Sequence, residues 1–506
     1  LMLRKIRLTL AVLFFVAVTA LFLDFTGTIH TWFGWMAKIQ FLPAILALNT
    51  GAILFLVLLT LLMGRIYCSV ICPLGIMQDL VSWFSGQRKK KKYRFSYSPE
   101  KRWLRYGVLI LFITALVAGI GSFVALVAPY SSYGRIANNL FVPIYRWGNN
   151  LFAYFAERAN SYAFYETEVW LKSLPTFIIA IITFVVLIVL AWRNGRTYCN
   201  TICPVGTILG FLSRFSLLRI TIDESKCNQC GLCSRKCKAA CINGKEHKID
   251  YSRCVVCMDC IDTCKHKAIQ YRLRTKKTAA PTHSNKTNEG VSSDQIDAAR
   301  RTFLTATTLF ASTAVLNAQE KKKVDGGLAV IEDKIAPKRT TPITPPGSLS
   351  AENMARHCTA CQLCVAACPN GVLRPSTDLM KLMQPTMSYE RGYCRPECTK
   401  CSEVCPAGAI KPIAISDKSA MQIGHAVWIK KNCVPLTDGV ECGNCARHCP
   451  TGAITMIASD ATNPDSPKVP AINTERCIGC GACENLCPAR PFSAIYVEGH
   501  EMHRIV

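Results

Sequence analysis

Cys227-Asn228-Gln229-Cys230-Gly231-Leu232-Cys233-Ser234-Arg235-Lys236-Cys237 spaces four thiols as C-x2-C-x2-C-x3-C. The same spacing returns at Cys254, Cys257, Cys260 and Cys264, at Cys358, Cys361, Cys364 and Cys368, and at Cys477, Cys480, Cys483 and Cys487. Two runs have a longer first gap: Cys394, Cys398, Cys401 and Cys405, then Cys433, Cys442, Cys445 and Cys449. Such runs present thiolates to cubane iron–sulfur centres, and in the two-cluster form the fourth cysteine of one run serves the other centre. Pro369, Pro406, Pro450 and Pro488 directly follow a fourth cysteine, as in bacterial ferredoxins. Disulfides between such near neighbours would be strained, and zinc sites separate their C-x2-C pairs by longer loops. Six [4Fe-4S] clusters, their iron held through these cysteines, are expected. A chain that carries them moves single electrons.

Outward from the quartets, four of the remaining cysteines form two C-x3-C-P pairs, Cys68/Cys72 and Cys199/Cys203, and Cys241 stands alone. The pairs belong to an internal repeat: Gly64-Arg65-Ile66-Tyr67-Cys68 through Pro73-Leu74-Gly75 matches Gly195-Arg196-Thr197-Tyr198-Cys199 through Pro204-Val205-Gly206. Two readings stay open for them: the four thiolates hold a seventh cluster between the loops, or each pair is two thiols a helical turn apart with no metal. Arg65 and Arg196 likewise read either as donors to such a cluster or as interfacial anchors. Cys241 reads as a small buried residue.

Half the residues are hydrophobic and 18% are charged, an apolar balance for a soluble protein. Four stretches have the length of membrane spans: 6–25, 44–63, 106–128 and 175–192. Residues 65–105 hold ten Lys/Arg against two acids, including Arg88, Lys89, Lys90, Lys91, Lys92 and Arg94. By the positive-inside rule this loop, the N-terminus and the chain after Trp192 face the cytoplasm. The net charge of +26 is then accounted for by lipid headgroups and orientation, without nucleic acid. The aromatic loop with Tyr130, Tyr133, Phe141, Tyr145, Trp147, Phe152, Tyr154 and Phe155 reads as an interfacial belt, with bordering a quinone head as the alternative. Beyond a polar stretch at 272–299, Arg300-Arg301-Thr302-Phe303-Leu304 opens an apolar segment to Ala318 that has the form of a twin-arginine export signal or a fifth span.

The expected fold class is an α-helical membrane domain of four to five transmembrane helices plus α+β bacterial-type polyferredoxin domains. The expected divisions are 1–212 (membrane domain), 213–271 (a cytoplasmic two-cluster ferredoxin), 272–299 (linker), 300–318 (signal or anchor), 319–350 (linker) and 351–506 (a four-cluster domain in the periplasm). C-x-x-C-H is absent and all nine histidines lie outside the four long stretches, which argues against haem. Nor is there a Walker motif or a strand-borne G-x-G-x-x-G. No catalytic nucleophile–base set stands out.

With two Y-C-x3-C-P-x-G repeats and a trailing two-cluster unit, residues 1–270 resemble the NapH-type membrane quinol dehydrogenase subunit of periplasmic nitrate reductase systems. Residues 300–506, with their R-R-x-F-L leader and four quartets, resemble the NapG-type exported ferredoxin, so the chain resembles a fusion of the two. The resemblance implies the quinone/quinol pool as substrate, membrane lipid as surroundings, and a periplasmic protein redox partner within a respiratory complex of the bacterial inner membrane. It implies no covalent FMN, since the S/T-G-A-T attachment run of related flavoproteins is missing. Alternatives are a metal-centre maturation factor and a polyferredoxin subunit of a larger ferredoxin-linked membrane redox complex.

Overall fold

Met2–Leu23 holds neither proline nor glycine and forms one unbroken helix, α1, of 22 residues, about 33 Å long. It stops at Asp24, whose carboxylate accepts the backbone N–H of Gly27 at 2.7 Å and of His30 at 3.0 Å, and contacts the His30 ring at 3.1 Å. The acid at the edge of the first apolar stretch therefore ties a turn. The computed structural model describes residues 2–24, 27–87, 95–161, 163–274 and 332–505. The segment 300–318, residues 275–299 of the first linker, residues 319–331 of the second and the basic run 88–94 lie outside the described residues.

The chain then visits the interior twice from the same end. α2 (Thr28–Phe33) and α3 (Trp35–Lys38) lead inward to Gln40, α4 (Phe41–Leu46) leads out again, and α5 (Thr50–Met63) returns. Asn49 caps α5, its Oδ1 accepting the Ala52 N–H at 3.1 Å. α6 (Tyr67–Val70) and α7 (Pro73–Gly86) follow, with Pro73 at the first position of α7. In the second half α8 (Arg102–Val117) runs outward, α9 (Gly121–Val127) turns inward and α10 (Pro129–Ile136) leads out. A π-turn at Ala137–Phe141 joins α10 to α11 (Val142–Arg158). α12 (Leu174–Asn194) then leads to α13 (Thr197–Thr201) and α14 (Pro204–Ser213), which match α6 and α7.

Two of the expected spans are thus broken. Among the described residues, α1 and α12 alone are long and apolar enough to cross a membrane. The stretch 44–63 is divided at Leu48, which has φ +51, and 106–128 is divided at Gly119, with φ +73. Both breaks use the left-handed backbone that ends helices. Outward-facing positions of α1, α5, α8 and α12 are apolar, among them Leu13, Phe55, Ile110 and Ile182.

Each end of α1 meets a cysteine-rich region. At its start, Arg4 donates to Asp259 at 2.8 Å and to Asp262 at 3.0 Å. Here β1 (Leu218–Ile222) pairs antiparallel with β4 (Ile269–Leu273), around β2 (Ile242–Asn243), β3 (Lys248–Ile249), α15 (Leu232–Lys236) and α16 (Asp259–Thr263). This unit sits on the end of α5, where the Tyr271 hydroxyl donates to the Met63 carbonyl at 2.9 Å. At the other end Phe22 packs against Gly134, which lies beside the Cys361 carbonyl.

There residues 336–506 form a second region, in one compact unit with residues 1–274. Its helices are α17 (Ala351–His357), α18 (Leu363–Ala367), α19 (Lys400–Val404), and the short helices Ile415–Ser419, Val434–Thr437, Asn444–Arg447 and Ala482–Leu486. Three antiparallel pairs brace them, the longest joining Met421–Trp428 to Ile495–Ile505. The π-turn sets two successive amides on one target: Asn138 and Asn139 both donate to Gln362 Oε1 at 3.0 Å. Lys172 adds a bond of 2.8 Å to the Val365 carbonyl.

Candidate metal centres

The quartets assemble crosswise. Cys227, Cys230 and Cys233 line one space together with Cys264, the last cysteine of the following run. Cys237, in exchange, lies with Cys254, Cys257 and Cys260. The same exchange occurs twice more. Cys358, Cys361 and Cys364 meet Cys405, while Cys394, Cys398 and Cys401 meet Cys368. Cys433, Cys442 and Cys445 meet Cys487, and Cys477, Cys480 and Cys483 meet Cys449. Each short helix between the third and fourth cysteines reverses the chain, which throws the fourth thiol across to the neighbouring set.

These surroundings fit an iron–sulfur centre. Among the described residues no three His, Cys, Asp or Glu close on a point that one metal ion would fill; the sulfurs line a space instead. The walls are apolar, with Ile222 and Ile269, Met354 and Ile410, or Val434 and Ile495. Backbone N–H groups donate to sulfur: Ala360 to Cys358 at 3.3 Å, Ile410 to Cys405 at 3.4 Å and Ala494 to Cys487 at 3.3 Å. Burial pushes the thiols of Cys361 and Cys480 up to about 12 and that of Cys445 to about 11. Thiols so reluctant to ionise in protein alone become thiolates against a cationic centre.

Cys241 is buried with its sulfur 3.5 Å from that of Cys237. Its hydrogen bond draws Cys237 below the ordinary thiol range. It lies outside the four-sulfur sets, beside two ligands of one set, Cys237 and Cys254.

The two C-x3-C-P loops meet. Cys68, Cys72, Cys199 and Cys203 are buried and lie within electrostatic reach of one another. Burial, reinforced by the neighbouring sulfurs, raises Cys72 and Cys203. α5 and α12 end at Gly64 and Gly195, both with positive φ, and the chain turns there into the loops. Gly206 N–H donates to Cys203 Sγ at 3.3 Å, so the start of α14 points at the sulfur.

Arg65 and Arg196 are fully buried, which removes the interfacial-anchor reading. Each reaches across to the other repeat. Arg196 donates to the Cys68 carbonyl at 2.6 Å, and Arg65 donates to the Cys199 carbonyl at 3.2 Å. Arg65 also lies 3.7 Å from Cys68 Sγ. The motif glycines make room for this clasp: a Cβ on Gly75 would overlap the Cys68 carbonyl and Arg196, and one on Gly206 would overlap the Cys199 carbonyl and Arg65. Asp79 holds Arg196 through two contacts of 2.8 Å, Arg7 at 3.2 Å and Lys238 at 3.4 Å. Burial alone would raise its carboxyl, but Arg196, Lys238 and Arg7 hold it well below the carboxylate range. Gln78 donates to Cys199 Sγ at 3.3 Å. Sequence reasoning missed Gln78 and Asp79; their only signal is a Gln-Asp pair inside an otherwise apolar helix.

The aromatic loop divides. Tyr130 and Tyr133 are buried between α1 and the bundle, contrary to the belt reading, because the re-entrant hairpin carries them inward. Tyr145, Trp147, Phe152 and Phe155 on α11 are exposed, as a belt requires. A cavity of about 610 Å³ lies between Arg146, Trp170 and Lys172 on one side and Cys368 and Tyr393 on the other. The guanidinium groups of Arg374 and Arg391 lie 4.8 and 4.9 Å from the Trp170 ring.

Comparisons with known proteins agree with this chemistry. A family described as a 4Fe-4S binding domain matches residues 46–92 and 176–222, one match on each C-x3-C-P loop. A 4Fe-4S dicluster domain matches residues 357–409 and 440–490. The ferredoxin-type protein NapH of Haemophilus influenzae is 28% identical, over 44% of this chain and 68% of its own length. An uncharacterised protein of Methanocaldococcus jannaschii is 25% identical over 54% of this chain and 89% of its own. The methylamine utilization ferredoxin-type protein MauM of Methylobacillus flagellatus is 28% identical over 32% of this chain and 70% of its own.

Proposed function

We infer the function from one premise, an iron–sulfur protein of electron transfer related to ferredoxin-type proteins of the NapH and Mau kinds. We propose that it is a multi-pass membrane protein that passes single electrons between the quinone/quinol pool and a protein redox partner. Its six crossed cysteine sets hold six [4Fe-4S] clusters and the clasped C-x3-C-P loops hold a seventh. The observation that carries this reading is the exchange of fourth cysteines in all three pairs of runs, an arrangement that serves cluster ligation and nothing else in the fold.

The clusters, when bound, supply reversible one-electron chemistry. The chain's own residues space them, keep water from them and donate N–H groups to their sulfurs. The unit at 213–271 is the cytoplasmic module and residues 351–506 the periplasmic one, with the segment at 300–318 as the export signal of a NapG-like half. Opposite placement on α1 supports this division. We assign the quinone headgroup to the cavity beside Cys368, because it joins aromatic and cationic walls to a cluster ligand at the base of the interfacial helix α11.

The test is anaerobic titration of the purified, iron-replete chain with menaquinol and ubiquinol analogues, followed by EPR. Reduction of at least one cluster by quinol is expected. Clusters that dithionite reduces but no quinol reduces and no quinone reoxidises would refute the quinone assignment.

A further inference from the structure

The tyrosine that precedes each C-x3-C-P pair is part of the repeat, yet a cluster site needs no phenol there. Both are buried, and both use their hydroxyl in the same way. Tyr67 donates to Gln40 Oε1 at 3.0 Å and accepts the Phe41 N–H at 3.1 Å. Tyr198 donates to the Val127 carbonyl at 2.7 Å. Gln40–Phe41 and Val127 are the innermost points of the two re-entrant hairpins, so each tyrosine fastens a hairpin tip to the residue beside a thiol of the four-cysteine site.

From these tips the chain leads to one place. α4 spans about 9 Å at the usual helical rise and ends at Ala47, which packs against Gly408, three residues past Cys405. Past Val127, α10 brings Tyr130 within electrostatic reach of Cys361 and Cys405, and Gly134 so near the Cys361 carbonyl that a Cβ would overlap it. The Tyr130 hydroxyl is buried without a hydrogen-bond partner. Two symmetric arms, each starting at a C-x3-C-P tyrosine, thus converge on the set formed by Cys358, Cys361, Cys364 and Cys405. A single arm could be packing; two that arise from separate halves of a repeat and end at the same four sulfurs are a device.

Resting on the reading of the thiol sets as cluster ligands, we infer that this chain conducts electrons across its own helical domain, from the four-cysteine site to the Cys361/Cys405 set, through the two tyrosine-anchored hairpins and without a diffusing carrier. One electron leaves the centre at the four thiols, which is oxidised, and enters the centre at Cys361/Cys405, which is reduced; the opposite direction uses the same path. No covalent bond forms or breaks and no proton need move. An external one-electron donor and acceptor of the ferredoxin class close the balance. A quinone that shuttles between the two faces becomes unnecessary for this step.

The test places the full, cluster-loaded chain in quinone-free liposomes with ferricyanide inside and dithionite outside. Entrapped ferricyanide is expected to be consumed at a rate set by the amount of protein. The Tyr67→Leu/Tyr198→Leu double variant, matched for iron content, is expected to be at least tenfold slower. A readout independent of turnover is EPR relaxation: the centre at the four thiols should relax faster in the full chain than in Cys405→Ser, which perturbs its neighbour. If the chain is iron-replete and reducible from each face by its own dye, yet ferricyanide disappears only when menaquinone is added, the conduit is overturned while the cluster assignment stands. Absence of iron overturns both. An undiminished rate in the double variant overturns the tyrosine bridge. Should that variant misfold, the wild-type flux and the relaxation comparison decide alone.

Discussion

Replacing Asp79 with asparagine is the sharpest single perturbation of the four-thiol site. In the native chain its carboxylate balances Arg196 at 2.8 Å, Arg7 at 3.2 Å and Lys238 at 3.4 Å. Lys238 keeps a second partner, Asp259 at 3.0 Å, so Asp79→Asn strands chiefly Arg196 and Arg7, both buried. Removing one partner of a buried pair costs about 3–5 kcal/mol, or a shift of about 10²–10⁴-fold in the closing equilibrium of the loops. Arg196 also fixes the Cys68 carbonyl, so its release should loosen the site it clasps. The assays are iron per chain, expected to fall by about four atoms as one cubane is lost, and hydrogen exchange over residues 64–86 and 195–206, expected to speed up. The sign with pH follows from the lowered carboxyl. A carboxylate whose folded pKa is depressed stabilises at every pH above its unfolded value of about 3.9 and loses this only as pH falls through the folded one. The gap between wild type and Asp79→Asn should therefore be constant from about pH 5 to pH 9. Unchanged iron and unchanged exchange, or a gap that varies within that window, would refute the reasoning.

Three further outcomes are expected. Pairing tests the crossed sets: Cys237→Ser with Cys254→Ser should remove about four irons and Cys237→Ser with Cys227→Ser about eight; equal losses would contradict the exchange. Cys241→Ala removes a buried S–H donor from the Cys237 sulfur, so the reduction potential of that centre should fall by about 20–40 mV, the equivalent of a weak bond of about 0.5–1 kcal/mol, read by EPR-monitored redox titration. Gly134→Ala drives a methyl into the Cys361 carbonyl; overpacking costs about 1–3 kcal/mol, and hydrogen exchange at residues 358–366 should rise while the 213–274 unit stays protected.

The cysteine spacing made the clusters legible because ligand geometry is local: three thiols come from one loop, and even the exchange of fourth cysteines follows from the two-cluster pattern. The repeat at Gly64–Gly75 and Gly195–Gly206 was equally plain. Its arginines were not, since a guanidinium beside an apolar stretch looks alike at a lipid surface and in a buried clasp; only the approach of the two loops separates the cases. The broken helices were hidden for a related reason. Hydropathy averages over a window, and residues 106–128 stay apolar on both sides of Gly119, so a re-entrant hairpin and a straight span give the same trace. The seating of residues 336–506 on the far end of α1 rests on Asn138, Asn139, Gln362 and Lys172, which are distant in sequence and carry no motif.

Charge explains why the clasp is built from arginine. With the proposed cubane bound, four thiolates drawn together in a buried site would bring four negative charges, of which the iron would offset only part. An unbalanced charge there would be expelled or neutralised by protons. Arg65 and Arg196, each fully buried, offer permanent cations that burial does not readily discharge. Lysine at the same positions would titrate more readily, and its compact ammonium lacks the planar fork with which these two donate at once to a carbonyl of the opposite repeat and to Asn200 or Asp79. Asp79 then has a distinct task. It fixes the direction of Arg196 and joins it to Lys238, which bridges to Asp259 beside Cys257 and Cys260. One ion network thus ties the four-thiol site to the nearest crossed quartet, and because Lys238 keeps Asp259 when Asp79 is replaced, the four-thiol site is the side expected to give way.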